Sequence, residues 1–232
     1  GAFYHGFVLF FLSYLIFKRS KIHILIISII FVLLISFLIG ERSNFIKLFL
    51  AVTFFTSLAL HINYKIKIIT FLITIITLFA FLNLNESYKT RYFDQIKTLF
   101  SANGYSEYIK KSQYGAHRDT AMKIFKENLI FGVGIKNFRY ESSKKKYENK
   151  EYALTNERQA THPHQIHHEF LSETGIFGYF SFLIFILSSI YLALKSYLKS
   201  KNLYQLSAII FIITSLLPLI PSGSFLSTYT SG

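Results

Sequence analysis

Apolar runs close to the roughly twenty residues that carry a helix across a bilayer recur along this chain, and short basic turns separate them. In hydrocarbon every backbone amide must find its partner within the protein, so runs of this kind are restricted to helices once they enter a membrane. The pattern therefore predicts an all-α, polytopic transmembrane helix bundle. A hydrophobic content of 52% and a mean hydropathy of +0.38 agree with that reading and argue against one or two soluble domains in 232 residues. The chain starts at Gly1 without a Met and ends at Gly232 just after an apolar run. It reads as a piece of a longer protein, with further spans expected at either end. No basic region precedes the first run and no small-residue cleavage site follows it, so it does not resemble a cleavable signal peptide.

The predicted spans cover residues 2–17, 22–39, 45–62, 68–84, 175–194 and 203–220, the last bounded by Pro218 and Pro221. Lys47 lies near the start of the third, where its stem would let the ammonium reach the interface. Between 85 and 165 no apolar run is sustained, and fifteen Lys or Arg stand against nine Asp or Glu, which marks a large extramembrane loop. Three divisions follow: four spans in 1–84, a polar loop in 85–169, and two spans with a following turn in 170–232. The turns at 18–21, 65–67 and 195–201 carry three, two and three basic residues and no acidic one, which assigns them to the cytoplasm. Alternation then gathers Arg42, the polar loop, the histidines of 162–168 and Pro221-Ser222-Gly223 on the opposite side. The net charge of +13 does not by itself imply nucleic acid, because Lys, Ile, Asn, Phe and Tyr are abundant throughout, as an AT-rich genome would produce. The absence of Cys excludes disulfides and thiolate metal sites.

Within the loop, residues 117–131 read as a helix with Ala121, Ile124, Phe125 and Leu129 on one stripe, ended by Gly132-Val133-Gly134. An amphipathic helix lying on the membrane or packed on the spans is the plain interpretation. Residues 141–160 are highly charged and read as a solvated, mobile excursion.

His162 to Gly178 is where polar residues meet the next apolar run, and it contains four of the eight histidines. A neutral imidazole accepts a proton near pH 7, which makes His164 a candidate general base; a helix-capping role fits its position equally well. A metal site at His164 and His168 is a weaker reading. The spacing would put both on one helical face beside Glu169, but Ser172 stands where a His-Glu-x-x-His site needs its second histidine. No Asp-x-Asp or Glu-x-Glu pair is present to hold Mg²⁺ against a sugar nucleotide, which disfavours a metal-dependent nucleotide-sugar transferase. The six arginines are Arg19, Arg42, Arg91, Arg118, Arg139 and Arg158, and five fall on the side opposite the cytoplasm. Arg42 follows a span and Arg118 opens the loop helix. Two such planar forks can clamp a diphosphate, while an interface anchor or a surface charge is the plain alternative for each.

Three ordered pieces resemble the bacterial O-antigen ligase and polymerase superfamily. They are Gly40-Glu41-Arg42-Ser43; Arg118-Asp119 through Phe131-Gly132-Val133-Gly134-Ile135-Lys136-Asn137-Phe138; and His162-Pro163-His164-Gln165 through Glu173-Thr174-Gly175-Ile176-Phe177-Gly178. The closing Pro221-Ser222-Gly223-Ser224-Phe225 also fits. The resemblance implies a multi-span inner-membrane transferase with a periplasmic active-site loop and no metal or other cofactor. Its donor would be a glycan on undecaprenyl diphosphate, and its acceptor lipid A core or a growing glycan. It also implies His164 as the base, Arg42 and Arg118 as diphosphate ligands with Arg139 as a further candidate, and His162, Gln165 and Glu173 in support. Gln165 stands where Asn is common in the superfamily, and His168 where an aliphatic residue is common, departures that bear on the acceptor. Ligase and polymerase share donor and motifs, and a protein O-oligosaccharyltransferase is a related alternative. From a different class, a transporter or channel would line a pathway with these arginines and histidines. It predicts helices broken in midmembrane, whereas spans two to four carry no internal Gly or Pro.

Overall fold

The computed structural model describes residues 4–59, 63–84, 86, 104–218 and 220–226; the start of the expected polar loop and Arg91 lie outside them. The described residues are all helical, without a strand. Helices α1 (Tyr4–Phe17), α2 (Ile22–Ile39), α3 (Arg42–Leu58) and α4 (Tyr64–Leu84) follow the first four apolar runs. After them come α5 (Gly104–Lys111), α6 (Gln113–Glu127), the single turn α7 (Phe138–Glu141), α8 (Ile166–Ser200) and α9 (Leu203–Ser215). Among the described residues, two helices, α2 and α8, are long and apolar enough to cross a membrane. Helices α1 and α9 are apolar but hold 14 and 13 residues. The last expected span is thus helical only to Ser215. Its Leu216 amide closes on the Ile212 carbonyl, and the residue ahead of Pro218 is pushed out of helical geometry.

The chain divides into two compact units. The first comprises Gly1–Phe93 and Ser188–Leu217. Its core is built from Leu9 and Leu12 of α1, Ile29 and Leu33 of α2, Leu48 and Phe55 of α3, and Leu206 and Ile210 of α9. Helices α1 and α9 approach closely: the hydroxyls of Ser13 and Ser207 lie 2.8 Å apart, and Ser207 also donates to the Leu9 carbonyl at 3.1 Å. Small hydroxyl residues of this kind bind apolar helices where hydrophobic burial distinguishes little from lipid. Gly40 ends α2 in the left-handed conformation (φ 77°), which lets the chain reverse so that Arg42 is the first residue of α3. Lys47 departs from expectation. It is buried within this unit rather than reaching outward, one turn inside α3.

The second unit comprises Asp94–Leu187 and Pro218–Gly232. The Ser112 hydroxyl caps α6 by accepting from the Gly115 amide at 3.1 Å, which starts the helix four residues before the predicted His117. It also ends early. The Asn128 amide and side chain both return to the Ile124 carbonyl, so Leu129 leaves the buried stripe and is exposed. The charged segment after 141 is packed on the helix rather than wholly solvated. Tyr147 is buried against Ala121, Ile124 and Phe138, its hydroxyl donates to Glu127 at 2.8 Å, and Lys146 pairs with the same carboxylate. One aromatic anchor thereby folds the basic run back onto α6.

Candidate active site

Two glycine-bearing motifs, more than thirty residues apart in sequence, form one structural joint in the second unit. Gly175 has φ 65° and ψ −166°, a conformation essentially reserved for glycine, and it breaks the helical path within α8. Around that break the Val133 and Gly134 amides donate to the Ser172 and Glu173 carbonyls at 3.0 and 2.8 Å. The Ile176 and Phe177 amides donate in turn to the Leu129 and Ile130 carbonyls at 2.8 and 3.2 Å. Backbones this close leave no room for a side chain: a Cβ on Gly132 would lie 2.4 Å from the Glu173 carbonyl carbon. Glu173 completes the joint. Its buried carboxylate accepts from the Lys136 amide at 2.8 Å and the Phe138 amide at 3.2 Å, fixing the start of α7.

Just before α8 the chain is clamped from the other side by Pro218 and the segment 222–226. The Ser222 amide donates to the His164 carbonyl at 2.8 Å, and the Ser222 hydroxyl accepts from the Ile166 amide at 3.0 Å. Gln165 caps α8 by accepting from the His168 amide at 3.0 Å while its other end donates to the Pro218 carbonyl at 3.0 Å. Buried Glu169 accepts from the Ser224 hydroxyl and from the Phe225 amide, the latter at 2.7 Å. Held on both flanks, His164 adopts φ 54°, unusual for a residue with a Cβ.

That conformation places the His164 ring between two others. Its centroid is 5.1 Å from that of His117, nearly parallel at 24°, and 4.1 Å from that of His162, tilted at 50°. Tyr114 meets it edge-on at 5.9 Å. His117 is fully buried, and its Nε2 lies 2.8 Å from the Glu157 carbonyl. A carbonyl only accepts, so the His117 proton resides on Nε2 and Nδ1 keeps a bare lone pair without a protein partner. His162 Nδ1 lies 2.9 Å from the Thr161 hydroxyl, and its buried Nε2 also has no protein partner. His117 and His164, nearly parallel, carry their ring-nitrogen lone pairs in parallel planes, which does not converge them on a common ion. Among the described residues no group of three His, Cys, Asp or Glu is arranged to hold a metal.

Burial controls the charge of this stack. It pushes His117 down to about 4, against the partial opposition of the Glu157 hydrogen bond. Burial, the neighbouring His164 and His117, and the charge of Arg139 push His162 down to about 4. Burial lowers His164 as well. At neutral pH all three are neutral imidazoles, and His164 is half-buried, with access that fully buried His117 lacks. Positive charge lies alongside. Arg139 acts electrostatically on both His162 and Glu173, and its buried Nε has no protein partner. Arg118, one residue after His117, is exposed, donates to the Tyr105 hydroxyl at 3.2 Å, and acts on His168.

The second unit thus contains His164, His162, Gln165, Glu173, Arg118 and Arg139 of the sequence candidates; Arg42 belongs to the first unit. Gln165 and Glu173 serve as backbone clamps, and His167 turns to the Tyr179 hydroxyl at 3.0 Å. Sequence reasoning missed His117 as a site residue; it grouped Ser222 with the histidines but gave it no role. The available signal for His117 was its place beside Arg118-Asp119; Glu169 was considered only as a possible metal neighbour.

A family model described as O-antigen ligase matches residues 7–183, more than half of the chain. No curated protein and no solved structure matches.

Proposed function

The chain belongs to the O-antigen ligase family, and on that premise we propose that it moves a glycan from undecaprenyl diphosphate to an acceptor hydroxyl at the periplasmic face of the bacterial inner membrane. The family is one of ligase- and polymerase-like membrane glycosyltransferases. Ligation of O-antigen to lipid A core is the leading assignment, with polymerisation of the glycan as the second.

The observation that carries this reading is the neutral histidine stack centred on half-exposed His164, in the same unit as Arg118 and Arg139. In the proposed reaction His164 takes the proton of the acceptor hydroxyl, whose oxygen attacks the anomeric carbon of the donor sugar. The bond from that carbon to the diphosphate oxygen breaks, and the leaving diphosphate gains a negative charge. Guanidinium forks from Arg118 and Arg139 are suited to that charge, and Arg42 is proposed as a further ligand. The reaction so written draws on no metal or other cofactor. His162 and His117 supply the polarisable faces against which His164 becomes charged. Gln165 and Glu173 hold the backbone that carries it. The four amino-terminal spans of 1–84, the periplasmic loop of 85–169 and the closing spans of 170–232 form the proposed organisation.

The test is transfer in proteoliposomes containing the full-length protein and an undecaprenyl-diphosphate glycan, with EDTA present. Lipid A core is offered as acceptor in one arm and a second donor molecule in the other. A single addition to lipid A core identifies the ligase, and lengthening on the lipid diphosphate identifies the polymerase. Transfer to neither overturns both assignments and turns attention to a protein acceptor.

A further inference from the structure

We propose that the loop Leu129–Ile135 is a lipid-embedded wedge, seated among the acyl chains of the bilayer beside the first turn of the span that begins at Gly175. The proposal rests on the reading that this chain crosses a membrane. Its starting point is a contiguous apolar surface: Phe131 is 73% exposed, Phe177 67% and Ile130 60%, and the Phe131 and Phe177 rings lie 6.0 Å apart. Soluble surfaces seldom leave such a patch uncovered.

Continuity with α8 identifies what covers it. Beyond Gly175 the helix is one of the two candidate spans, and its exposed Phe180, Ile184 and Phe185 extend the patch at helical spacing from Phe177. The loop cannot sit far from that depth, because its Leu129 and Ile130 carbonyls accept from the Ile176 and Phe177 amides. One residue of helix rises only about 1.5 Å, so the wedge and the first turn of the span share a level.

Irregular backbone is excluded from hydrocarbon when its polar groups are unpaired. Here the pairing is largely internal. The Gly132 amide donates to the Asn128 carbonyl at 2.9 Å, the Val133 and Gly134 amides donate to Ser172 and Glu173, and the Leu129 and Ile130 carbonyls are taken by α8. Glycines at 132 and 134, both at positive φ, are what permit so compact a turn. The same joint continues into the Glu173 clamp on Lys136 and Phe138. The wedge therefore fixes the depth of the Glu173 joint against the acyl chains.

These 232 residues contain no tryptophan, so once any Trp elsewhere in the full-length protein is replaced by Phe, single Trp probes report without background. Phe131→Trp and Phe185→Trp, which keep an aromatic ring at each place, are reconstituted in bilayers whose acyl chains are brominated or unmodified. The proposal expects bromination to cause loss of emission from both, with Phe131→Trp quenched more by bromines near the headgroup than by bromines near the chain ends. Quenching at 185 without quenching at 131 overturns the wedge and leaves the spanning reading intact. No quenching at 185 overturns the spanning reading and the proposal with it.

Discussion

In the proposed mechanism, the proton inventory of the histidine stack sets when the site can work. His164 accepts a proton only while its ring is neutral, and burial lowers its proton affinity below the usual histidine value near 6.5. Protonation from solvent removes the base, so the acid limb of kcat/KM should fall as pH drops through a midpoint below 6.5, in the absence of a contribution from titrating substrate. His117 and His162, pushed down to about 4, carry no charge near neutral pH. A pH profile with its acid midpoint at or above 6.5 would contradict this arrangement. Glu173 offers a second test at the same scale. Removing its carboxylate with Glu173→Ala leaves the Lys136 and Phe138 amides without their acceptor, at a cost of about 1–3 kcal/mol. Glu173→Gln retains one acceptor oxygen and should cost less. Amide exchange at 136 and 138 reads the difference, and equal protection in wild type and both variants would remove the clamp from the account. The candidates His162, His164, Gln165 and Glu173 were legible because they cluster in sequence. His117 was not, since it lies far upstream and only the fold stacks it against His164.

At the scale of elements, the decisive feature is the glycine joint between the loop after α6 and the break in α8. Gly175→Ala must place a Cβ 2.4 Å from the Ile130 carbonyl oxygen in a backbone conformation that L-residues avoid. The strain alone is worth about 1–3 kcal/mol. The expected result is a lower melting temperature with loss of amide protection at Val133, Gly134, Ile176 and Phe177; unchanged protection would show that the two motifs do not depend on each other. Helices were the most readable level of this chain, because an apolar run of bilayer length admits little else. Boundaries were less so. Leu129 continues the apolar stripe of α6 in sequence, yet Asn128 turns the chain away by capping Ile124. The packing of the segment after 141 was also hidden, since it depends on Tyr147 reaching Glu127, twenty residues back.

At the scale of the whole molecule, the chain has two units: one of packed apolar helices, the other carrying the histidine stack, two arginines and the loop proposed to enter lipid. Family membership assigns the class of chemistry, and the proposed base His164 lies in the second unit with the rings of His117 and His162 against it and Arg118 and Arg139 in the same unit. The central claim is that His164 moves the proton. The most direct measurement is single-turnover glycan transfer by wild type and His164→Ala in the same proteoliposomes, with donor binding measured in parallel. Loss of a positioned base should slow transfer by about 10²- to 10⁴-fold while donor affinity is retained. Transfer by His164→Ala at the wild-type rate would contradict the account.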